Sequence, residues 1–383
     1  MTEAISTDAS RPGKFKRVTS FLSKRDGIVI GWILSIKVVL FLFGAVTYQV
    51  LENKPVHGVQ GLLAIWNRWD APAYQHLAQF GYQISGEFKT WFYPLLPWTI
   101  RLVAWVSGNY IVSAFIVSGI ASIVAALLLR RTVELDFSPR VALRSVWFFL
   151  IFPTAHFLHV GYTESLFLAL ALGSILAART QRWWLAGLLG GLGCMTRANG
   201  IVLIPTLGVE IIHQFISEKR FRWQWLWIAL VPLGFGVYLF NNWLVSGDPF
   251  AFIRLKTELF HTALAWPWDG LRDAFGRINQ EPSQGQIVGA QEFIFGVLGL
   301  VCTVATWIKL RPIYGMWMTG NWVLIMSATF LSGTPRYTLL MFPIFILFAL
   351  LAANRLWNAI LTVWSLLFLG FFSSLYAWGH WAF

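Results

Sequence analysis

Apolar residues run nearly unbroken over long stretches of this chain, and the polar residues between them fall into short clusters. The first stretch, Gly27 to Val50, is long enough to cross about 30 Å of hydrocarbon at about 1.5 Å per helical residue. Further apolar runs lie at roughly 110–131, 141–157, 163–179, 183–197, 200–217, 225–245, 288–308, 313–331, 337–353 and 356–378, which predicts about eleven membrane-spanning helices. The stretch 91–108 carries Pro94, Pro97 and Arg101 and is read as an in-plane or partly inserted helix, since counting it as a span reverses everything after it. The expected fold is an all-α polytopic membrane protein with a tail over 1–26 and one integral-membrane domain over 27–383.

Composition agrees, because 57% hydrophobic and 12% charged residues over 383 positions do not describe a soluble globular domain. A net charge of +12 would suggest nucleic acid in a soluble chain. In a membrane protein Lys and Arg gather in cytoplasmic loops while Trp and Tyr mark the interfaces, and 22 Trp fit that picture. Arg11, Lys14, Lys16, Arg17, Lys24 and Arg25 precede the first span, which is too long for a signal-peptide core and lacks an A-x-A-like cleavage site. It is read as retained, with a cytoplasmic N-terminus. With 91–108 left out of the span count, 18 of the 29 Lys and Arg face the cytoplasm, ten face outward and Lys37 lies within the first span. Lys37 snorkels or finds a partner in the bundle. Cys194 and Cys302 sit inside apolar runs and read as packing residues.

This topology puts the polar motifs on the non-cytoplasmic face: WNRWDAPAYQHLAQFGY (Trp66 to Tyr82), HVGYTES (His159 to Ser165), TRANG (Thr196 to Gly200), SGDPF (Ser246 to Phe250) and SGTPRY (Ser332 to Tyr337). Two long loops, about 51–109 and 246–287, share that face. Walker, G-x-G-x-x-G, H-E-x-x-H and paired C-x-x-C motifs are absent, as is an internal repeat. His156 and His159 lack metal-site spacing, so no metal is expected.

Seven motifs stand in the order found in PIG-V-like mannosyltransferases, relatives of the second mannosyltransferase of GPI-anchor synthesis. They are W-D-A-x-x-Y-x-x-L-A-x-x-G-Y from Trp69, F-Y-P from Phe92, G-Y-T-E-S from Gly161, R-W-W-L-A-G from Arg182, T-R-x-x-G from Thr196, G-D-P from Gly247 and P-R-Y from Pro335. The chain resembles a prokaryotic member of that family from about Trp66 to Tyr337. It departs from the pattern at Ala73, where an aromatic is usual, and at Ala198, where Pro is frequent.

The resemblance implies a GT-C glycosyltransferase of the inner membrane. Such an enzyme takes mannose from a polyprenyl-phosphate carrier and passes it, with inversion, to a hydroxyl of a glycolipid or surface glycan at the extracytoplasmic face. It implies no partner among nucleic acids and no certain cofactor, and leaves a divalent cation undetermined. Inversion needs a base for the acceptor proton, and GT-C enzymes place that carboxylate in the first extracytoplasmic loop, where Asp70 lies. Asp70 alternatively caps a helix opening at Ala71-Pro72. Glu164 is the second candidate catalytic carboxylate, or a first-turn acid behind a Thr163 cap.

Arg197 and Arg336 interrupt apolar runs and are candidates for the carrier phosphate, with Arg68 and His76 beside Asp70 as further candidates. Each arginine alternatively pairs with a carboxylate or snorkels, and His76 alternatively serves as an interfacial hydrogen-bonding residue. Trp69, Tyr74, Tyr162, Asp248 and Tyr337 are candidates for sugar or acceptor contact, although Asp248-Pro249 also reads as a turn. Two other classes compete with this enzyme: a lipid-linked sugar flippase or transporter, which needs charges spread along a path through the membrane, and a non-catalytic scaffold, which needs no carboxylate beside aromatics; within the enzyme class, a GT-C enzyme that transfers another hexose or acts on protein is the alternative.

Overall fold

Inside a bilayer the backbone has no water to bond, so each N–H and C=O must pair within its own segment. The computed structural model, which describes residues 23–85, 87–280 and 283–381, meets that demand with helices. Most of the predicted tail, residues 1–22, lies outside the described residues. The first span is α1 (Lys24–Glu52), followed in the next loop by α2 (Gly58–Ile65), α3 (Asp70–Ser85) and α4 (Leu95–Ser107). The central body is α5 (Tyr110–Val133), α6 (Pro139–Ile151), α7 (Thr163–Arg179), α8 (Trp183–Cys194), α9 (Leu203–Glu218) and α10 (Leu230–Ser246). After the loop helices α11 (Ala251–Phe260) and α12 (Pro267–Arg277), the chain closes with α13 (Ser283–Lys309), α14 (Pro312–Met326), α15 (Thr334–Thr338), α16 (Pro343–Leu351) and α17 (Arg355–Trp378). Among the described residues the only β-pairing is an isolated bridge between Leu264 and Ala328.

Among the described residues six stretches are long and apolar enough to cross a membrane: Lys24–Glu52, Tyr110–Val133, Ala198–Glu218, Trp223–Ser246, Ile287–Lys309 and Arg355–Trp378. The expected count of eleven is not reached on length. At the other five predicted spans stand shorter helices, among them α6 with 13 residues, α8 with 12 and the α15–α16 pair with 5 and 9. The cause is local. α6 stops before Pro153, α8 stops before TRANG and α14 stops before SGTPRY, so the polar motifs themselves end these helices.

Within the 91–108 stretch the structure has α4. Pro94 caps it and Pro97 falls in its first turn, where a missing N–H leaves no bond unmade. Arg101 donates to the Ala78 and Gln79 carbonyls at 2.5 and 3.4 Å, beside the kink where Gly81 leaves helical geometry at φ +78°. In the body α5 packs on α7, α7 on α8 and α8 on α10. The last contact is backbone on backbone: a methyl at Gly234 would collide with the Gly191 carbonyl.

The basic end of the bundle is fastened by ion pairs. Arg130 bridges Asp26 at 2.6 Å and Glu134 at 2.7 Å, Arg179 meets Asp136 at 2.6 Å, and Arg311 meets Glu210 at 2.9 Å. Such buried pairs fix which helices meet more than they add net stability.

Cys194 and Cys302 are both buried, so introduced cysteines report topology without background. Ser246→Cys and Ser332→Cys should react with an impermeant maleimide outside the cell, and Arg220→Cys only after permeabilisation. The reverse pattern places the motif-bearing end in the cytoplasm.

Candidate active site

Asp70 opens α3 directly after Trp69, which holds φ +54°. A bulky residue in that region is strained by about 1–3 kcal/mol and persists only where its surroundings hold it. Tyr162 supplies the hold: its hydroxyl accepts from the Asp70 N–H at 3.1 Å and donates to the Arg68 carbonyl at 3.0 Å, so one phenol fastens both sides of Trp69. The Asp70 carboxylate, 40% exposed, accepts from Arg336 Nη1 at 3.0 Å through Oδ2.

Arg336 belongs to α15, and its Nε donates to Glu164 at the start of α7. Arg197, in the turn after α8, donates to the same Oε1 of Glu164 and, at 3.0 Å, to the Thr163 hydroxyl. Glu164 is completely buried, and its second oxygen, Oε2, has no hydrogen-bond partner among the described residues. Aromatic faces line the cations: Arg336 lies 4.5 Å from the Tyr162 ring and 4.9 Å from Phe157, and Arg197 lies 4.9 Å from Tyr337. Two guanidiniums and two carboxylates thus form one formally neutral cluster, with a single exposed corner at Asp70. Removing one member of such a buried set leaves a desolvated charge and costs about 3–5 kcal/mol.

The segment carrying Arg336 is held from beneath. Gly333 sits at φ +88°, a conformation open to glycine, and caps α15. The Glu292 carboxylate, fully buried in α13, accepts from the N–H groups of Gly333 and Thr334 at 2.7 and 2.8 Å. Thr154 donates to the Pro335 carbonyl at 3.0 Å, and Arg277 to that of Leu331 at 3.0 Å. Sequence reasoning missed Glu292, although a carboxylate within an apolar span is itself a signal. It also missed Tyr93, which stacks on Tyr238 of α10 with centroids 3.8 Å apart.

The structure brings together seven predicted residues: Trp69, Asp70, Tyr162, Glu164, Arg197, Arg336 and Tyr337. Several predicted residues make contacts other than those expected. Arg68, expected at the phosphate, instead donates to the Ile65 and Ala377 carbonyls at 3.2 and 3.3 Å and ties the loop to α17. Tyr162, expected to stack on a sugar, is buried with its hydroxyl engaged by backbone. Asp248 accepts from the Phe250 N–H at 2.8 Å and makes a turn. His76 is exposed on α3 against Phe80, 4.8 Å between ring centres. Tyr74 is buried edge-on to Phe92, 4.9 Å between ring centres. Burial, reinforced by the Asp70 carboxylate, holds its phenol well above the usual range and therefore protonated. Trp69 is 44% exposed beside Asp70 and meets Trp381 edge to face at 5.3 Å. Among the described residues no group of three or more His, Cys, Asp or Glu side chains is placed to hold a metal.

Residues 93–240 match the family described as dolichyl-phosphate-mannose-protein mannosyltransferase, a stretch that includes Glu164 and Arg197 but not Asp70 or Arg336. Over 212 residues, 52% of the chain, it is 32% identical to GPI alpha-1,6-mannosyltransferase 2 of Mus musculus. That stretch of the chain is similar to GPI mannosyltransferase 2. GPI mannosyltransferase 2 of Schizosaccharomyces pombe is 27% identical over 211 residues, 54% of the chain. The matches take in 42% and 44% of those proteins, so the chain spans less than half the length of these curated relatives. Its fold is similar to that of ArnT from Cupriavidus metallidurans bound to undecaprenyl phosphate, with a TM-score of 0.50 at 15% identity, covering 86% of this chain and 62% of that one.

Glu292→Ala should remove both acceptors beneath Gly333 and Thr334 and destabilise the fold by about 1–3 kcal/mol, read as a lowered Tm. Glu292→Gln, which keeps one acceptor, should lie between. An unchanged Tm in the Ala variant would mean that the α15 turn holds Arg336 without Glu292.

Proposed function

We propose that this chain is an inverting glycosyltransferase that moves mannose from a polyprenyl-phosphate carrier to a hydroxyl of a glycolipid or surface glycan, at the extracytoplasmic face of a prokaryotic inner membrane. The observation that carries the reading is the sharing of Arg336 between Asp70 and Glu164, at the corner where the cluster opens. In the transfer the acceptor oxygen bonds to C1 of the sugar, the C1–O bond to phosphate breaks, and the carrier phosphate departs with that electron pair. The acceptor proton passes to Asp70, the exposed carboxylate. Arg336 and Arg197 meet the phosphate, whose bridging oxygen gains charge as the bond breaks, and the planar guanidinium suits that anion. Glu164 is the fixed counter-ion that keeps both arginines in place, and its free Oε2 is available to a hydroxyl donor. Trp69 and Tyr337 flank the exposed corner as walls for the sugar, and His76 stands further along α3.

Mannose and a glycolipid acceptor are supported by what the relatives are called, and a polyprenyl-phosphate carrier by the ligand in the ArnT structure. A flippase fits less well, because the site charges gather at one level instead of along a path.

Purified enzyme given polyprenyl-phosphate mannose, glucose or galactose with a membrane lipid extract should add a hexose to a lipid only from the mannose donor, read by mass spectrometry. Asp70→Asn should lower transfer by about 10²–10⁴ while the protein folds and still binds carrier. Arg336→Ala should weaken donor affinity and turnover together, and Arg336→Lys should recover part. Wild-type transfer in Asp70→Asn refutes the base assignment, and transfer from glucose alone refutes mannose.

A further inference from the structure

Away from the site, a cavity of about 1400 Å³ opens on the flank of the bundle between α4, α5, α7 and α8 and runs down to the start of α1. Its walls are apolar for most of their length: Ile120, Val124 and Leu128 of α5 face Leu166 and Leu170 of α7. Gly173 forms part of the floor, where a methyl group would come within 2.9 Å of Leu189. Ile120 and Val124 are 60% and 40% exposed, so the cavity is open to the surrounding hydrocarbon.

The lower end is chemically different. Arg25, Arg131 and Arg182 surround the mouth. Asp26 and Glu134 lie there too, but both are engaged by Arg130 at 2.6 and 2.7 Å. Arg25 and Arg131 stand further from these carboxylates, at 3.5 and 3.8 Å, and their side chains are 50% and 43% exposed. Arg182 is exposed and has no ion pair among the described residues. With Arg130 counted, four cations and two anions line the mouth, which leaves it net positive.

We propose that this groove binds one anionic phospholipid from the leaflet on the basic side, with its phosphate at Arg131 and Arg182 and its acyl chains along α5 and α7. The dimensions agree. From Leu128 to Val117 the apolar wall covers 11 helical steps, about 17 Å, against about 15 Å for half of the hydrocarbon core. Basic pockets between spans are recognised sites for anionic head groups, while the open apolar wall gives the chains a fixed surface. The lipid would then bridge α5, α7 and α8 beneath the site. The inference does not rest on the catalytic reading.

Native mass spectrometry tests it with full-length protein in mild detergent, titrated with dioleoyl phosphatidylglycerol or dioleoyl phosphatidylcholine. Phosphatidylglycerol should bind one equivalent at least tenfold more tightly. The double variant Arg131→Gln/Arg182→Gln should lose that preference, since neither residue belongs to the catalytic cluster. Val124→Trp should fill the groove and abolish the bound equivalent, with Ile120→Trp as a second blocking variant should Val124→Trp not fold. Equal binding of the two lipids, a preference that survives the Gln variants, or binding undiminished by a folded Trp variant overturns the proposal. Preferential retention of undecaprenyl phosphate overturns the assigned occupant.

Discussion

The site depends on one guanidinium. Arg336 reaches two carboxylates far away in the chain, Asp70 on the loop after α1 and Glu164 at the head of α7, and so joins the loop, the body and the closing helices at one point. A cation in an apolar setting is tolerated only where its charge is met. The surrounding structure therefore has to hold both carboxylates in reach. Tyr162 fastens the backbone on either side of strained Trp69 and so sets Asp70, while Glu292, Thr154 and Gly333 set the turn that carries Arg336.

That requirement explains why the helices of the body are uneven. An uninterrupted span buries its backbone well but offers the interior only side chains at helical spacing. Breaks after α6, α8 and α14 release turns, and these turns deliver Thr154, Arg197 and the SGTPRY segment to one level. At the other end the helices are locked by Arg130, Arg179 and Arg311 with their acids, so the bundle is fastened at the base and shaped at the top. The long spans α1, α5, α13 and α17 supply the frame.

Much of this was legible in the sequence. Apolar periods gave the positions of the helices, and the polar interruptions marked the residues that meet. Arg197 and Arg336 stood out because a charge within an apolar run demands a reason, Asp70 as a carboxylate among aromatics after the first span, and Glu164 as a carboxylate at the edge of an apolar run. Their mutual pairing was not legible, since either a phosphate or a carboxylate satisfies an arginine. The tie from Arg68 to α17 was hidden for a related cause: nothing in its neighbourhood of the chain reveals that the Ala377 carbonyl lies within reach. Tyr162 likewise carries a ring and a hydroxyl suited to a sugar, but backbone groups of the loop engage the hydroxyl first. The positive φ of Trp69 leaves no trace in composition. Helix length does not confirm the count of eleven, because proline and polar turns shorten helices by amounts that hydropathy does not resolve.

If the carrier phosphate and Asp70 compete for Arg336, removing the Asp70 charge frees the arginine for the phosphate. Equilibrium binding of polyprenyl-phosphate mannose, measured without acceptor in wild type, Asp70→Asn, Arg336→Ala and the double variant, tests this directly. Asp70→Asn should tighten donor binding several-fold, and that gain should vanish in the Arg336→Ala background. Donor affinity unchanged or weakened by Asp70→Asn, or a gain of equal size without Arg336, would contradict the shared-arginine account.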